Sequence, residues 1–106
     1  MTADRAIDPK NPSEIDRAIH EPARLLILAL LFEVESADFL YLARHTGLTR
    51  GNLSAHLRKL AEVGYVSVEK TYADRLPLTV LRLTPAGRKA IHAYRRTMLE
   101  LLAAFD

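Results

Sequence analysis

The apolar positions of this chain change their spacing twice, and each change marks a new kind of element. The first cluster is one uninterrupted run, LLILALLF at 25–32. A helix that is apolar all round is the buried centre of a small domain. Eight residues fall far short of the ~20 that cross a bilayer. Pro22 suits a first helical turn, where its missing N–H costs nothing, so a core helix is expected over 22–35, with Ser13 capping a short turn before it. Ser36 or Asp38 can cap the next helix, over 38–45, with a side-chain oxygen. In that helix Phe39, Leu42 and Ala43 share one face. Gly47 then suits a left-handed stop. Thr49 caps a third helix over 50–63, whose stripe is Leu53, Leu57 and Leu60 at i, i+4 and i+7.

After Gly64 the period shortens to two. Val66 and Val68 alternate with Ser67 and Glu69, which predicts a half-buried strand over 65–71, and LTVLRL at 78–83 predicts a second. Residues 72–77 (YADRLP) read as the loop between them, giving a two-stranded hairpin with a polar tip. Thr84 and Pro85 are a cap followed by a proline at the first helical position, opening a last helix over 85–104. There Ile91, Tyr94, Met98, Leu101 and Phe105 are spaced 3, 4, 3 and 4, the seam of a helix that lies along another helix. The expected fold class is mainly α with a small β-hairpin (α+β). Residues 1–12 are expected to form a flexible leader and 13–106 one domain, as suits a chain of 106 residues.

Charge sharpens this picture. Lys and Arg number 15 against 13 Asp and Glu, a formal net charge of +2. Residues 1–38 carry eight acids and four bases, a balance of −4, whereas 39–106 carry eleven bases and five acids, a balance of +6. No acid lies between Asp38 and Glu62, while Arg44, Arg50, Arg58 and Lys59 do. A basic segment inside a near-neutral chain points to an anionic partner on one face; a solvated face with scattered counterions is the plainer alternative.

The same segment holds a constellation. Ala43, Gly47 and Leu53 supply a small residue where two helices touch, a glycine to turn the chain and an apolar residue inside the second helix, with Leu42 and Leu48 beside them. That is the spacing of a helix-turn-helix. With Leu53, Leu57 and Leu60 turned inward, the outward arc of the third helix holds Gly51, Asn52, Ser54, Ala55, Arg58 and Lys59. An α-helix fits the DNA major groove, where amide and guanidinium groups reach base edges, and small residues permit close approach. Thr49 and Arg50 stand at the helix N-terminus, whose N–H groups favour a phosphate. His56, at the edge of the arc, is either a base or phosphate contact or a hydrogen bond between helices. On the hairpin, Lys70, Tyr72 and Arg75 can reach phosphates or the minor groove, or belong to a plain polar turn, with Asp74 opposing them.

The segments LTRGNLSAHLRKLAEVGYVSVEK (48–70), LRLTPAGRKAI (81–91) and EPARLLILALL (21–31) resemble winged helix-turn-helix transcriptional regulators of the MarR- and ArsR-like superfamily, over about 14–106. The resemblance implies a homodimer that binds a pseudo-palindromic double-stranded DNA site as a repressor, with the helix over 50–63 in the major groove and the wing over 70–77 on the backbone or minor groove. Carried onto this sequence, the DNA contacts are Thr49, Arg50, Asn52, Ser54, His56, Arg58, Lys59 and Arg75, joined by Lys70 from the hairpin reading. The last helix, 85–106, is the dimerisation helix, with Ile91, Tyr94, Met98, Leu101, Leu102 and Phe105 at the interface and help from the first helix. A winged-helix module for protein–protein contact is the rival reading.

Other chemistry is not expected. There is no cysteine, which excludes disulfides, thiolate zinc sites and cysteine nucleophiles. Metal-sensing members of the superfamily carry a cysteine pair beside the recognition helix. His20, His45, His56 and His92 form no short ligand pair; a folded cluster with Asp or Glu is the alternative, above all at His92 near the seam, since some related sensors place metals between subunits. A Gly-rich phosphate loop and a nucleophile elbow are missing. The expectation is a non-enzyme without metal or cofactor, with a small-molecule effector of unspecified class left open. The polar N-terminus lacks the basic start and apolar stretch of a secretory signal, and a cytoplasmic protein is expected.

Overall fold

The computed structural model describes residues 14–106; the leader expected over 1–12 and the Ser13 cap lie outside them. The elements run α1 (Pro22–Val34), β1 (Ser36–Asp38), α2 (Phe39–Thr46), α3 (Arg50–Glu62), β2 (Val66–Ala73), β3 (Leu76–Leu83) and α4 (Pro85–Leu102), and a single 3₁₀ turn, Ala103–Phe105, follows α4. Each helix starts where a side-chain acceptor meets a free N–H. Glu21 accepts from Arg24, Asp38 from Tyr41, Thr49 from Asn52 and Thr84 from Gly87. The core gathers Ile27, Leu28 and Leu31 of α1, Leu42 of α2, the Leu53, Leu57 and Leu60 stripe of α3, Val66 and Leu81 of the sheet, and Ile19 from the segment before α1. Fully burying each such side chain contributes ~1.5–3 kcal/mol, so the α3 stripe fixes which arc of α3 is left outside. Among the described residues, no helix is long and apolar enough to cross a membrane.

The sheet departs from the two-stranded expectation in two ways. It has three antiparallel strands in the order β1-β3-β2. Ser36, Ala37 and Asp38 pair with Arg82, Leu81 and Val80, so Asp38 ends a strand and caps α2 at once. A three-residue strand has too few positions to display alternation. The hairpin is also longer than expected: β2 and β3 pair from Val66↔Leu83 out to Ala73↔Leu76, and only Asp74 and Arg75 turn the chain. Both have positive φ, 52° and 69°, the left-handed pair that a two-residue hairpin turn of the I′ class requires. Pro77 reads as a loop residue in sequence but pairs with Tyr72. β1 reaches only positions 80–82, so β3 is an edge at Pro77 and tolerates a residue without N–H.

One junction ties the end of α3 to the start of α4. Tyr65 N–H donates to Leu60 O at 2.9 Å, Thr84 N–H to Tyr65 O at 3.1 Å, and the Thr84 hydroxyl to Gly64 O at 2.6 Å. Gly87 is buried against Tyr65, where a Cβ would overlap the Tyr65 carbonyl oxygen and press on Leu83. No other residue type permits that approach of α4 to the Tyr65 backbone.

Candidate nucleic-acid interface

The α2–α3 turn is built as the spacing of Ala43, Gly47 and Leu53 predicts. Gly47 caps α2 in the left-handed region at φ 72°, and its N–H donates to Ala43 O at 3.0 Å. The Thr46 hydroxyl donates to Leu42 O at 2.7 Å and accepts from Leu48 N–H at 3.2 Å, closing the turn from inside. Leu42 and Leu53 are fully buried, while Ala43 and Leu48 pack on their flanks. This locks α3 across α2 and presents the other side of α3 outward.

On that side Thr49, Arg50, Gly51, Asn52, Ala55, Arg58 and Lys59 are exposed. A Cβ at Gly51 would meet nothing within 4 Å, so the surface there is open. Thr49 Oγ1 accepts from Asn52 N–H at 3.2 Å, which leaves its own O–H to donate. The Arg50 guanidinium stands 5.6 Å from the Phe39 ring centroid, which steadies it at the head of the helix. Ser54 and Arg58 line a cleft of about 420 Å³ between α3 and the hairpin, with Lys70 and Thr79 on its far wall. The structure thus brings Ser54, Arg58 and Lys70 together and sets Arg75 apart at the wing tip. Glu69, one of two acids on the wing with Asp74, lies 3.7 Å from Arg82 in an exposed pair, an arrangement that contributes little to stability.

His56 sits differently from the rest of the set. It is half-buried, and its Nδ1 lies 3.3 Å from Arg24 Nη1 and 3.9 Å from Glu21 Oε1. A guanidinium only donates, so the Arg24 contact is a hydrogen bond in the His56 tautomer whose Nδ1 is free to accept. Arg24 also donates to Ala18 O at 2.6 Å and Arg17 O at 3.2 Å. The Glu21 carboxyl is held below its ordinary range first by the Arg24 backbone N–H, with the Arg24 charge adding to it. His56 therefore makes the hydrogen bond between helices that was one of its two readings. Nothing in the spacing of Glu21, Arg24 and His56 along the chain announces this network, because it depends on how α1 crosses α3.

The α4 set is divided. Ile91 and Tyr94 pack against their own core, and the Tyr94 hydroxyl is hydrogen-bonded to His20 Nδ1 at 2.9 Å. Met98 and Leu101 are half-buried, while Leu102 and Phe105 are 52% and 83% exposed. Leu99, absent from the predicted seam, is 53% exposed beside them. Thr97 is buried at 2% exposure and lines a small cavity with Asp16, Tyr65 and Tyr94. It lies outside the seam of Ile91, Tyr94, Met98, Leu101 and Phe105. Among the described residues no three His, Asp or Glu side chains come together as metal ligands, and His92 stands edge-on to Phe32 at 5.6 Å.

Comparison with known proteins converges on this architecture. The family model described as a winged helix DNA-binding domain matches residues 23–102. An uncharacterized protein of Methanocaldococcus jannaschii is 40% identical over 78 residues, which span 74% of this chain and 85% of that protein. The solved structure of a transcriptional regulator homologue from Pyrococcus horikoshii superposes with a TM-score of 0.81 at 30% identity, covering 86% of this chain and 90% of the other. A possible transcriptional regulator for arsenical resistance superposes at 0.61 with 29% identity, over 84% and 92% of the two chains. The chain therefore belongs to the winged helix DNA-binding domain family, whose fold is not that of an enzyme, and it is a DNA-binding transcriptional regulator.

Proposed function

We propose that the chain acts as a homodimer that represses transcription from a pseudo-palindromic operator, with α3 in the major groove and the β2–β3 wing on the adjoining backbone or minor groove. The observation that carries this reading is the outer arc of α3, an exposed acid-free surface of Asn52, Ala55, Arg58 and Lys59 beside a small open position at Gly51. Asn52 and Arg58 are the side chains suited to base edges. Thr49, Arg50, Lys59, Lys70 and Arg75 are suited to phosphates, which set register and carry most of the affinity. One copy offers few cations. Two copies related by a two-fold axis double them and place the recognition helices ~34–36 Å apart, one turn of DNA. The apolar end of α4 supports that pairing.

Genomic fragments retained by the purified protein and sequenced should share an inverted repeat. Binding of a duplex carrying it should weaken steeply with salt, as counterion release demands. Retention of fragments without a common sequence, or affinity indifferent to salt, overturns the reading in favour of a protein-contact module.

A further inference from the structure

Arg24 engages every nitrogen of its side chain within the protein. Nε donates to Ala18 O at 2.6 Å, Nη2 to Arg17 O at 3.2 Å, and Nη1 meets His56 Nδ1 at 3.3 Å. The first turn of α1, where Arg24 stands, is the unfavourable end of a helix for a cation. Glu21 offsets this, its Oε1 accepting the Arg24 backbone N–H at 2.8 Å. Glu21 Oε1 lies 3.9 Å from His56 Nδ1, outside hydrogen-bond reach, so the bond to His56 comes from the guanidinium. The carbonyls that hold Arg24 are anchored in turn. Ile19 of the same segment is fully buried, Asp16 Oδ2 accepts from the Tyr65 hydroxyl at 2.6 Å, and His20 is hydrogen-bonded to Tyr94 at 2.9 Å. Arg24 therefore ties a fixed frame, the segment before α1, to the middle of α3.

We propose that Arg24 is a positioning residue for DNA reading, fixing through His56 the roll of α3 about its own axis. The proposal rests on the reading that α3 enters the major groove. The stripe of Leu53, Leu57 and Leu60 holds α3 down, but apolar burial has no direction and leaves a helix free to roll by a few degrees. A hydrogen bond is directional. His56 stands at one border of the buried stripe, in the same row as Asn52 and Lys59, its neighbours one turn to either side. Ser54 and Arg58 stand at the other border, in the cleft against the wing. Pinning the first border sets where both rows point. Side chains reach ~5–6 Å from a helix axis, so a roll of ~10° carries their tips ~1 Å. That is enough to break a base contact whose donor and acceptor must meet within ~2.7–3.2 Å. A guanidinium suits this task better than an ammonium, because its planar fork serves several fixed acceptors at once.

The test compares two affinities of the full 106-residue protein. One is for a duplex bearing the inverted repeat recovered from genomic fragments, the other for a duplex of equal length with that repeat scrambled. Their ratio does not depend on how much of a variant is folded, because both apparent affinities fall by the same factor. Arg24→Met keeps the apolar stem and loses the fork. It should reduce the ratio about tenfold, within what one base-reading pair supplies, and leave the salt slope on the scrambled duplex unchanged. His56→Leu should match it. His56→Asn, whose amide oxygen takes the place of Nδ1 as acceptor, should keep the wild-type ratio. The double variant of Arg24→Met and His56→Leu should lose no more than either alone, as residues acting through one bond do. A wild-type ratio in Arg24→Met overturns the proposal, as does a loss in His56→Asn as large as that in His56→Leu, or additive losses in the double variant. A salt slope lower by about one in Arg24→Met makes Arg24 a phosphate contact in its own right and overturns it too. In each of these cases a wild-type protein that still prefers the repeat leaves the α3 reading standing. A wild-type protein without that preference removes both.

Discussion

The outer arc of α3 and the outer end of α4 are both exposed helix surface, and they are chemical opposites. The first carries Gly51, Asn52, Ala55, Arg58 and Lys59, small or polar side chains that are well solvated while idle. The second carries Leu99, Leu102 and Phe105, more than half exposed, which gain free energy only when water is removed from them. A polar cationic face suits a partner that comes and goes with salt and sequence. A contiguous apolar face on a small protein marks a surface that is normally covered. In the proposed homodimer one helix serves intermittent contact and the other a lasting one.

The sharpest way to break this contrast is to put a charge on the lasting surface. Met98→Glu places a carboxylate within the proposed dimer seam, and uncompensated burial of charge costs several kcal/mol. Sedimentation should show a monomer with its helix content kept; an unchanged dimer rejects α4 as the seam. Next in size is Gly87→Ala, which strikes both surfaces at once. A Cβ there overlaps Tyr65 O, and overpacking of this kind costs ~1–3 kcal/mol. Chemical denaturation should show that loss, and an unchanged midpoint would mean that the approach of α4 to Tyr65 is loose. Arg58→Ala should weaken operator binding by ~1–3 kcal/mol per half-site while dimerisation and unfolding stay as in the wild type. Full affinity in that variant places the reading face elsewhere.

The smallest effect tests whether the contrast depends on the segment before α1. The Tyr65 hydroxyl donates to Asp16 Oδ2 at 2.6 Å. That bond to a carboxylate, with burial adding to it, pushes the Tyr65 phenol up to about 12 from an ordinary 10.0. A value raised in the folded state means that the stabilisation is intact below pH ~10 and is lost as pH climbs toward 12. Tyr65→Phe should lower stability by ~1 kcal/mol at neutral pH and flatten the decline in stability over that alkaline range. An identical alkaline profile in the variant would assign the decline to other groups.

The two surfaces were unequally legible in the sequence. The α3 arc follows from local rules: an i, i+4, i+7 stripe of Leu53, Leu57 and Leu60, a cap at Thr49 and a glycine at 47 place every outward residue without knowledge of the rest of the fold. The same holds for the start of α4 at Thr84 and Pro85. The α4 seam is harder, because a heptad count cannot tell which part of an apolar stripe its own domain consumes. Here the core takes Ile91 and Tyr94 and releases Leu99. β1 escaped notice because its three residues, Ser36, Ala37 and Asp38, also read as helix caps. The wing strands ran past their expected ends because Asp74 and Arg75 adopt positive φ without glycine, a cost that paired strands on both sides overcome. The Arg24–His56 contact joins positions 32 apart, and only the crossing of two helices reveals it.

The knot of hydrogen bonds at Gly64, Tyr65 and Thr84, closed by the side-chain-free approach at Gly87, leaves no slack between the reading head and its mount. In a molecule paired through its C-terminal helices, any change in the angle at which those helices cross is transmitted through this joint as a change in the distance between the two reading heads. The preferred gap between operator half-sites is then an attribute of the mount, open to change by substitutions that never approach a base pair.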